Sequence, residues 1–305
     1  MDPGHGVVYI RRFIVAEYGL NSSLFVYDKA NRANGDALAA LESIAAAGFR
    51  RTELTAEGET WREQGYPGAA EFRAALRRLG IDPLTMHTPY NGVNIASLDE
   101  AVRLAAVQRI ADAMRFAGDI GVRTAVVHPT GRPGPNESPF RLDTIGAATE
   151  CAYRSLSGLL KVAEETGVRI ALENLSHVGL PCRPLESMRE LSAFIAGFPH
   201  GLVGLCLDVG HACLSGYDPA EQARLGSERL WALHLQDVDG KKDCHWVPGR
   251  GAIDWASLGQ ALSDIEFDGA WTLEVLTAHS DSSPEQLAAE CASLSERWAT
   301  SGMSS

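Results

Sequence analysis

The sequence predicts an α/β fold, a single parallel (β/α)8 barrel over residues 1–305, with ends that fray at about 1–6 and 300–305. Three observations predict it. Short apolar, β-branched runs alternate with longer stretches of helical periodicity along the whole chain, the pattern of parallel strands joined by crossover helices. The alternation amounts to about eight βα units, the number at which such a sheet closes on itself. No Pro/Ser-rich linker or change in composition divides the chain, and the Gly-rich dinucleotide fingerprint of an open doubly wound sheet is missing after the first strand.

Taken in order, Phe13–Leu20 reads as the first strand and Asp36–Ala47, rich in Ala and Leu, as a helix closed by Gly48. Arg51–Ala56 is the second strand, followed by a helix over Ala69–Leu79 that stops at Gly80. Leu84–Thr88 is the third, and Asp99–Ala117 is a long amphipathic helix with Asp99 as its cap. The remaining strands are Thr124–His128, Ile170–Glu173, Leu202–Leu207, Leu230–Leu235 and Trp271–Val275. Between them helices run over Leu142–Thr166, Leu185–Ala196, Pro219–Leu225 and Trp255–Ile265, with Pro284–Ala299 last. Asp254 and Ser283 stand where caps belong, and Gly167, Gly197 and Gly226 where helices end.

In such a barrel the C-terminal ends of the strands converge on one mouth. Six successive strands end there in a His or a carboxylate directly after apolar residues: His87, His128, Glu173, Asp208 (with His211 just beyond), His234 and Glu274. Singly, each would be a hydrogen-bonded core residue, a helix cap or a salt-bridge partner. Together, unpaired carboxylates would repel one another and lose hydration. A divalent cation resolves that conflict, and mixed His/carboxylate donors suit Zn, Mn or Co better than Ca, with Mg also compatible. After the seventh strand, Asp243 and His245 lie two residues apart and would both reach one ion, or the substrate, from a loop. Gly249 and Gly251 permit a tight backbone path there. Arg250 is a candidate anion contact to substrate, and Glu53 would touch substrate or brace the barrel floor. Trp61 and Tyr66 would supply an apolar wall over the substrate or simply pack, and the Gly/Pro-rich segment Thr130–Pro139 reads as a lid or a rigid surface turn.

Charge and cysteine usage narrow the partners. Lys+Arg 27 against Asp+Glu 39 leaves a formal charge of −12, which repels polyanions and disfavours a broad nucleic-acid footprint. The opening residues carry no basic, apolar leader, and no segment approaches the ~20 apolar residues of a membrane span. The six scattered cysteines contain no CxxC pair and read as reduced thiols in a cytoplasmic protein. The expected partner is a small molecule, with no membrane; helix faces of such barrels often mediate homo-oligomers.

On these residues the chain resembles the xylose-isomerase-like TIM-barrel superfamily of sugar and sugar-phosphate isomerases and epimerases, over nearly its whole length. The motifs that carry the likeness are ALEN at Glu173, CLDVGHA at Asp208 and His211, HLQD at His234, the loop DCHWVPGRGAIDW, and WTLEV at Glu274. The resemblance implies a small sugar or polyol-derived substrate and one divalent ion held by Glu173, Asp208, His234 and Glu274, with His211 facing the substrate. The pattern is also similar to that of endonuclease IV, a member with three metal ions. Its ligands map onto His87, His128, Glu173, Asp208, His211, His234, Asp243, His245 and Glu274, so up to three ions are compatible with the chain.

Two mechanisms follow. In isomerisation or epimerisation of a hydroxy-carbonyl compound, metal chelation stabilises an enediolate while Glu173 and Glu274, on opposite sides of the mouth, remove and return the proton. Elimination of a group β to the same carbanion gives a related lyase. In phosphoester hydrolysis with three ions, His87, His128, Asp243 and His245 become essential ligands. A non-catalytic sugar-binding barrel is a further reading, which the two candidate catalytic carboxylates oppose.

Overall fold

The computed structural model describes residues 18–303 except 31, 34, 58–67 and 132–139. Eight parallel strands close into a barrel in chain order. They are β1 (Gly19–Asn21), β2 (Arg51–Thr55), β3 (Asp82–His87), β4 (Thr124–Val127), β5 (Arg169–Glu173), β6 (Val203–Asp208), β7 (Leu230–Leu235) and β8 (Ala270–Leu273). Around them lie α1 (Ser23–Val26), α2 (Ala37–Ala46), α3 (Ala69–Leu79), α4 (Glu100–Ile120), α5 (Ile145–Thr166), α6 (Met188–Ile195), α7 (Val209–Leu214), α8 (Pro219–Gly226), α9 (Trp255–Asp264) and α10 (Pro284–Ser301). Among the described residues, no helix is long and apolar enough to cross a membrane.

Local chemistry places the helix starts where it was expected to. Asp99 accepts from the N–H groups of Ala101 and Val102, Asp254 from Ser257, and Ser283 forms a reciprocal capping box with Gln286. Gly167 closes α5 with φ 70°, a left-handed turn that favours glycine. Gly226 ends α8 as expected, staying in the right-handed helical region while Ser227 takes the positive φ. Three readings are corrected. Leu142 lies outside α5, 85% exposed, because the helix begins after Thr144. The strand expected over Phe13–Leu20 runs through Asn21, and residues 13–17 lie outside the described part, as do 1–6. Residues 300–301 continue α10 rather than fraying.

Side chains alternate across each strand, so residues two positions before the mouth form the layer directly beneath it. On β4–β7 that layer is apolar, made of Val126, Ala171, Cys206 and Ala232, all fully buried. On β2, β3 and β8 the same layer carries Glu53, Thr85 and Thr272, equally buried, with Asn21 beside them at the end of β1. The floor beneath the site is thus half hydrocarbon and half hydrogen-bonding groups.

Candidate metal centre

The strand ends deliver the side chains to one place. His87, Glu173 and Asp208 are the last residues of β3, β5 and β6; His234 is one before the end of β7; His128 and Glu274 follow β4 and β8 directly. Four overlapping sets of donor atoms are close enough to share an ion, all within 4.8 Å inside each set. Glu173, Asp208, His234 and Glu274 form the innermost group, His87, His128 and Glu173 a second, and His211, Asp243 and His245 an outer third; His87, His234 and Glu274 make a set that bridges the first two. Glu173 joins the first two. Its Oε2 lies 3.2 Å from both His87 Nε2 and His128 Nε2, and its Oε1 lies 3.3 Å from His211 Nδ1 and 3.4 Å from His234 Nδ1.

The backbone decides which nitrogen each ring presents. Nδ1 of His87, His211 and His245 lies 2.9–3.0 Å from the carbonyl oxygens of Thr88, Asn174 and Glu274 respectively. A carbonyl only accepts, so each Nδ1 carries a proton and Nε2 is left facing carboxylates that also only accept. His211 Nε2 and His245 Nε2 both lie 3.3 Å from Asp243. His234 is fully buried, and neither ring nitrogen makes a well-directed hydrogen bond, although Nδ1 is 3.1 Å from Glu274 Oε2 and Nε2 is 2.9 Å from Glu53 Oε1. Imidazole nitrogens and carboxylate oxygens that converge in this way, with His234 left without a hydrogen-bond partner, are the donor set a divalent ion requires, and the residues therefore fit such a group.

Asp208 is fixed from three directions. Its Oδ1 caps α7 by accepting from His211 N at 2.6 Å, and Asn174 clamps its backbone by donating to the carbonyl (2.9 Å) and accepting from the N–H (2.8 Å). Gln236 links the inner and outer groups: Nε2 donates to both Asp208 oxygens and to Asp243 Oδ1, while Oε1 accepts from His245 N. Asp237, fully buried, gathers the N–H groups of Val238, Gly249 and Ile253 and the Trp255 indole, and thereby folds the loop that carries Asp243 and His245.

With no ion bound, protons settle the charge conflict. Burial opposes charge on His87, but Glu173 and its neighbours prevail and raise it to about 9; His245 rises to about 10 by the same balance against Asp243. Burial lowers His128 to about 4, whereas it raises the Asp208 carboxyl to about 6. Burial would also raise Glu274 and Glu173, yet the surrounding imidazoles hold Glu274 near about 2 and Glu173 well below its usual range.

Two expected substrate contacts lie elsewhere. Arg250 pairs with Glu290 of α10 on the outer surface, because its loop turns outward past Gly249. Glu53 is fully buried behind His234 rather than lining the mouth, since it sits within β2 and not beyond its end. Trp61, Tyr66 and all but the ends of Thr130–Phe140 lie outside the described residues. Sequence reading missed Asn21, Asn174, Gln236 and Asp237, and also the aromatic wall of Tyr90 beside His87 and His128, whose hydroxyl donates to Tyr27 at 2.6 Å.

Comparison with known proteins places this arrangement in context. Residues 41–297 match the family described as xylose isomerase-like TIM barrel. A probable endonuclease 4 from Bifidobacterium longum is 29% identical over 213 residues, covering 65% of this chain and 71% of that protein. The crystal structure of a D-tagatose 3-epimerase-like protein superposes with a TM-score of 0.75 at 20% identity, covering 94% of this chain and 100% of the other. The IolI protein, solved with a bound zinc atom, superposes with a TM-score of 0.74 at 18% identity over 95% of this chain and 99% of that one.

Proposed function

The chain belongs to the xylose isomerase-like TIM-barrel family, and from that premise we propose that it is a divalent-metal-dependent isomerase or epimerase of a sugar, an inosose or a related hydroxy-carbonyl compound. The observation that carries the reading is the inner group: two glutamates from β5 and β8 meet Asp208 and His234 with donor atoms within 4.8 Å of one another. Glu173, Asp208, His234 and Glu274 would hold the ion, which would supply Lewis-acid stabilisation for negative charge developing on the substrate.

The protein's own groups then move the proton. Glu173 and Glu274 are both ionised at neutral pH, so either can take the proton from the carbon beside the carbonyl. The other returns it, to the opposite face in epimerisation or to the neighbouring carbon in isomerisation. His211, 9% exposed at the edge of the group, is placed to hold a substrate hydroxyl. Fold relatives named for 3-epimerase chemistry or for zinc binding support this assignment. Elimination remains open to a substrate with a leaving group β to the carbanion.

The test is deuterium washout from a panel of ketoses, inososes and sugar acids. Glu173→Gln and Glu274→Gln should each slow exchange by roughly 10²- to 10⁴-fold with the protein still folded. Unchanged washout in both variants sinks the assignment.

One observation favours a second reading, trinuclear phosphoester hydrolysis: the other two donor groups stand beside the first, and a relative is named probable endonuclease 4. Elemental analysis of the unaltered protein and of His87→Ala separates the two. About one ion per chain, retained in the variant, favours the isomerase; about three, with one lost on substitution, favours the hydrolase.

A further inference from the structure

The hydrogen-bonding half of the floor has its own chemistry. Asn21 and Glu53 are fully buried, and a carboxamide and a carboxylate in a barrel interior are costly unless satisfied, so their partners reveal their use. Asn21 employs both ends of its amide. Oδ1 accepts from Ser23 N at 2.8 Å and from Thr55 Oγ1 at 2.7 Å, which pins the side chain to β1 and β2. Nδ2 donates to Glu53 Oε1 at 2.7 Å and to Glu274 Oε1 at 3.2 Å. Glu53 in turn receives the Thr85 hydroxyl on Oε2, while its Oε1 lies 2.9 Å from His234 Nε2.

Two members of the inner group are therefore met from below, Glu274 by a hydrogen bond and His234 by a carboxylate within contact distance. Glu274 is held by Oε1, which leaves Oε2 directed toward His234 Nδ1 at 3.1 Å. His234 has a carboxylate on its Nε2 side, which leaves Nδ1 on the side of Glu173 and Glu274. We propose that Asn21 and Glu53 are the positioning residues of the metal centre: Asn21 selects the oxygen that Glu274 presents to the ion, and Glu53 selects the nitrogen that His234 presents. The proposal rests on the reading of Glu173, Asp208, His234 and Glu274 as the residues that hold an ion.

A purely bracing role predicts something different. The same network spans β1, β2, β3 and the end of β8, so its loss could weaken the barrel and nothing else. Zinc and cobalt affinity by competition titration, and the visible absorption of the cobalt-loaded protein, separate the two roles in Asn21→Leu, Glu53→Ala and Glu53→Gln. A positioning role predicts affinity about 10- to 100-fold weaker in Glu53→Ala, a smaller loss in Glu53→Gln (which keeps an acceptor oxygen), and altered cobalt absorption in Asn21→Leu. Variants that melt earlier when metal-free, yet bind within twofold of the parent with unchanged absorption, overturn the proposal. Should the variants not fold, nitrogen-15 spectra of the zinc-loaded parent decide: a proton on His234 Nε2 and none on Nδ1 supports it, and the reverse overturns it. A parent that binds neither ion removes the metal-centre reading itself, a failure distinct from one in which parent and variants bind alike.

Discussion

His87 and His245 each commit Nδ1 to a backbone carbonyl, and both rings hold protons more tightly than free imidazole when no ion is bound. Their pKa values rise from 6.5 to about 9 and about 10, so the stabilisation they contribute is complete below 6.5 and is lost as pH climbs through those values. Asp208 acts in the same sense: raised from 3.8 to about 6, it favours folding when protonated and ceases to do so above that pH. The melting temperature of chelator-treated protein should therefore fall as pH rises from about 6.5 to about 10. Zinc-loaded protein should show a weaker trend, because an ion on Glu173 and Asp208 takes over the charge that holds the His87 proton and keeps the Asp208 carboxyl ionised, while His245 keeps its pairing with Asp243. Identical pH profiles with and without zinc would contradict the assignment. At this scale the nine His and carboxylate positions were legible, because a polar residue directly after an apolar strand is conspicuous. The amides Asn21, Asn174 and Gln236 were not, since an amide makes no sequence signal until its partners are known. Glu53 was legible as a residue but not as a role, for β2 alone cannot tell which neighbour lies behind it.

The loop after β7 shows how an element places a site. Asp237 holds it from within, and backbone bonds between Asp237 and Trp246, in both directions, fasten the two ends of the stretch bearing Asp243 and His245. Gly251 packs so closely that a Cβ there would lie 2.2 Å from Val238 O and 2.4 Å from Asp237 Oδ1. Gly251→Ala should thus displace the loop, cost about 1–3 kcal/mol in denaturant unfolding and raise KM by shifting Asp243 and His245 against His211, while leaving the metal content of the inner group unchanged. Strands and long helices were readable from periodicity and caps. Helix α7 was not: its six residues span under two turns, and the Asp208 that starts it also ends β6. Nor was the brevity of β1, whose three residues carry no period.

For the molecule as a whole, an ion that binds only the folded chain stabilises it by mass action. At 100 times the dissociation constant the gain is about 2.7 kcal/mol, which for a chain of 305 residues corresponds to roughly 4 °C in melting temperature. Scanning calorimetry with zinc against chelator checks this, and equal transitions would place the ion outside the folded barrel. Barrel closure was legible from the count of βα units; the division of the floor into apolar and hydrogen-bonding halves required the register between strands. That division has a bearing on biosynthesis. Asn21 and Glu274 lie 253 positions apart in the chain yet share a hydrogen bond, and the seam they span, β1 against β8, has two paired positions, Gly19 with Thr272 and Leu20 with Leu273. On the ribosome β1 emerges early and must wait for nearly the entire chain before its partner arrives. Chains lacking β8 have neither this seam nor Glu274, so the inner group is complete only once the last strand has joined the first.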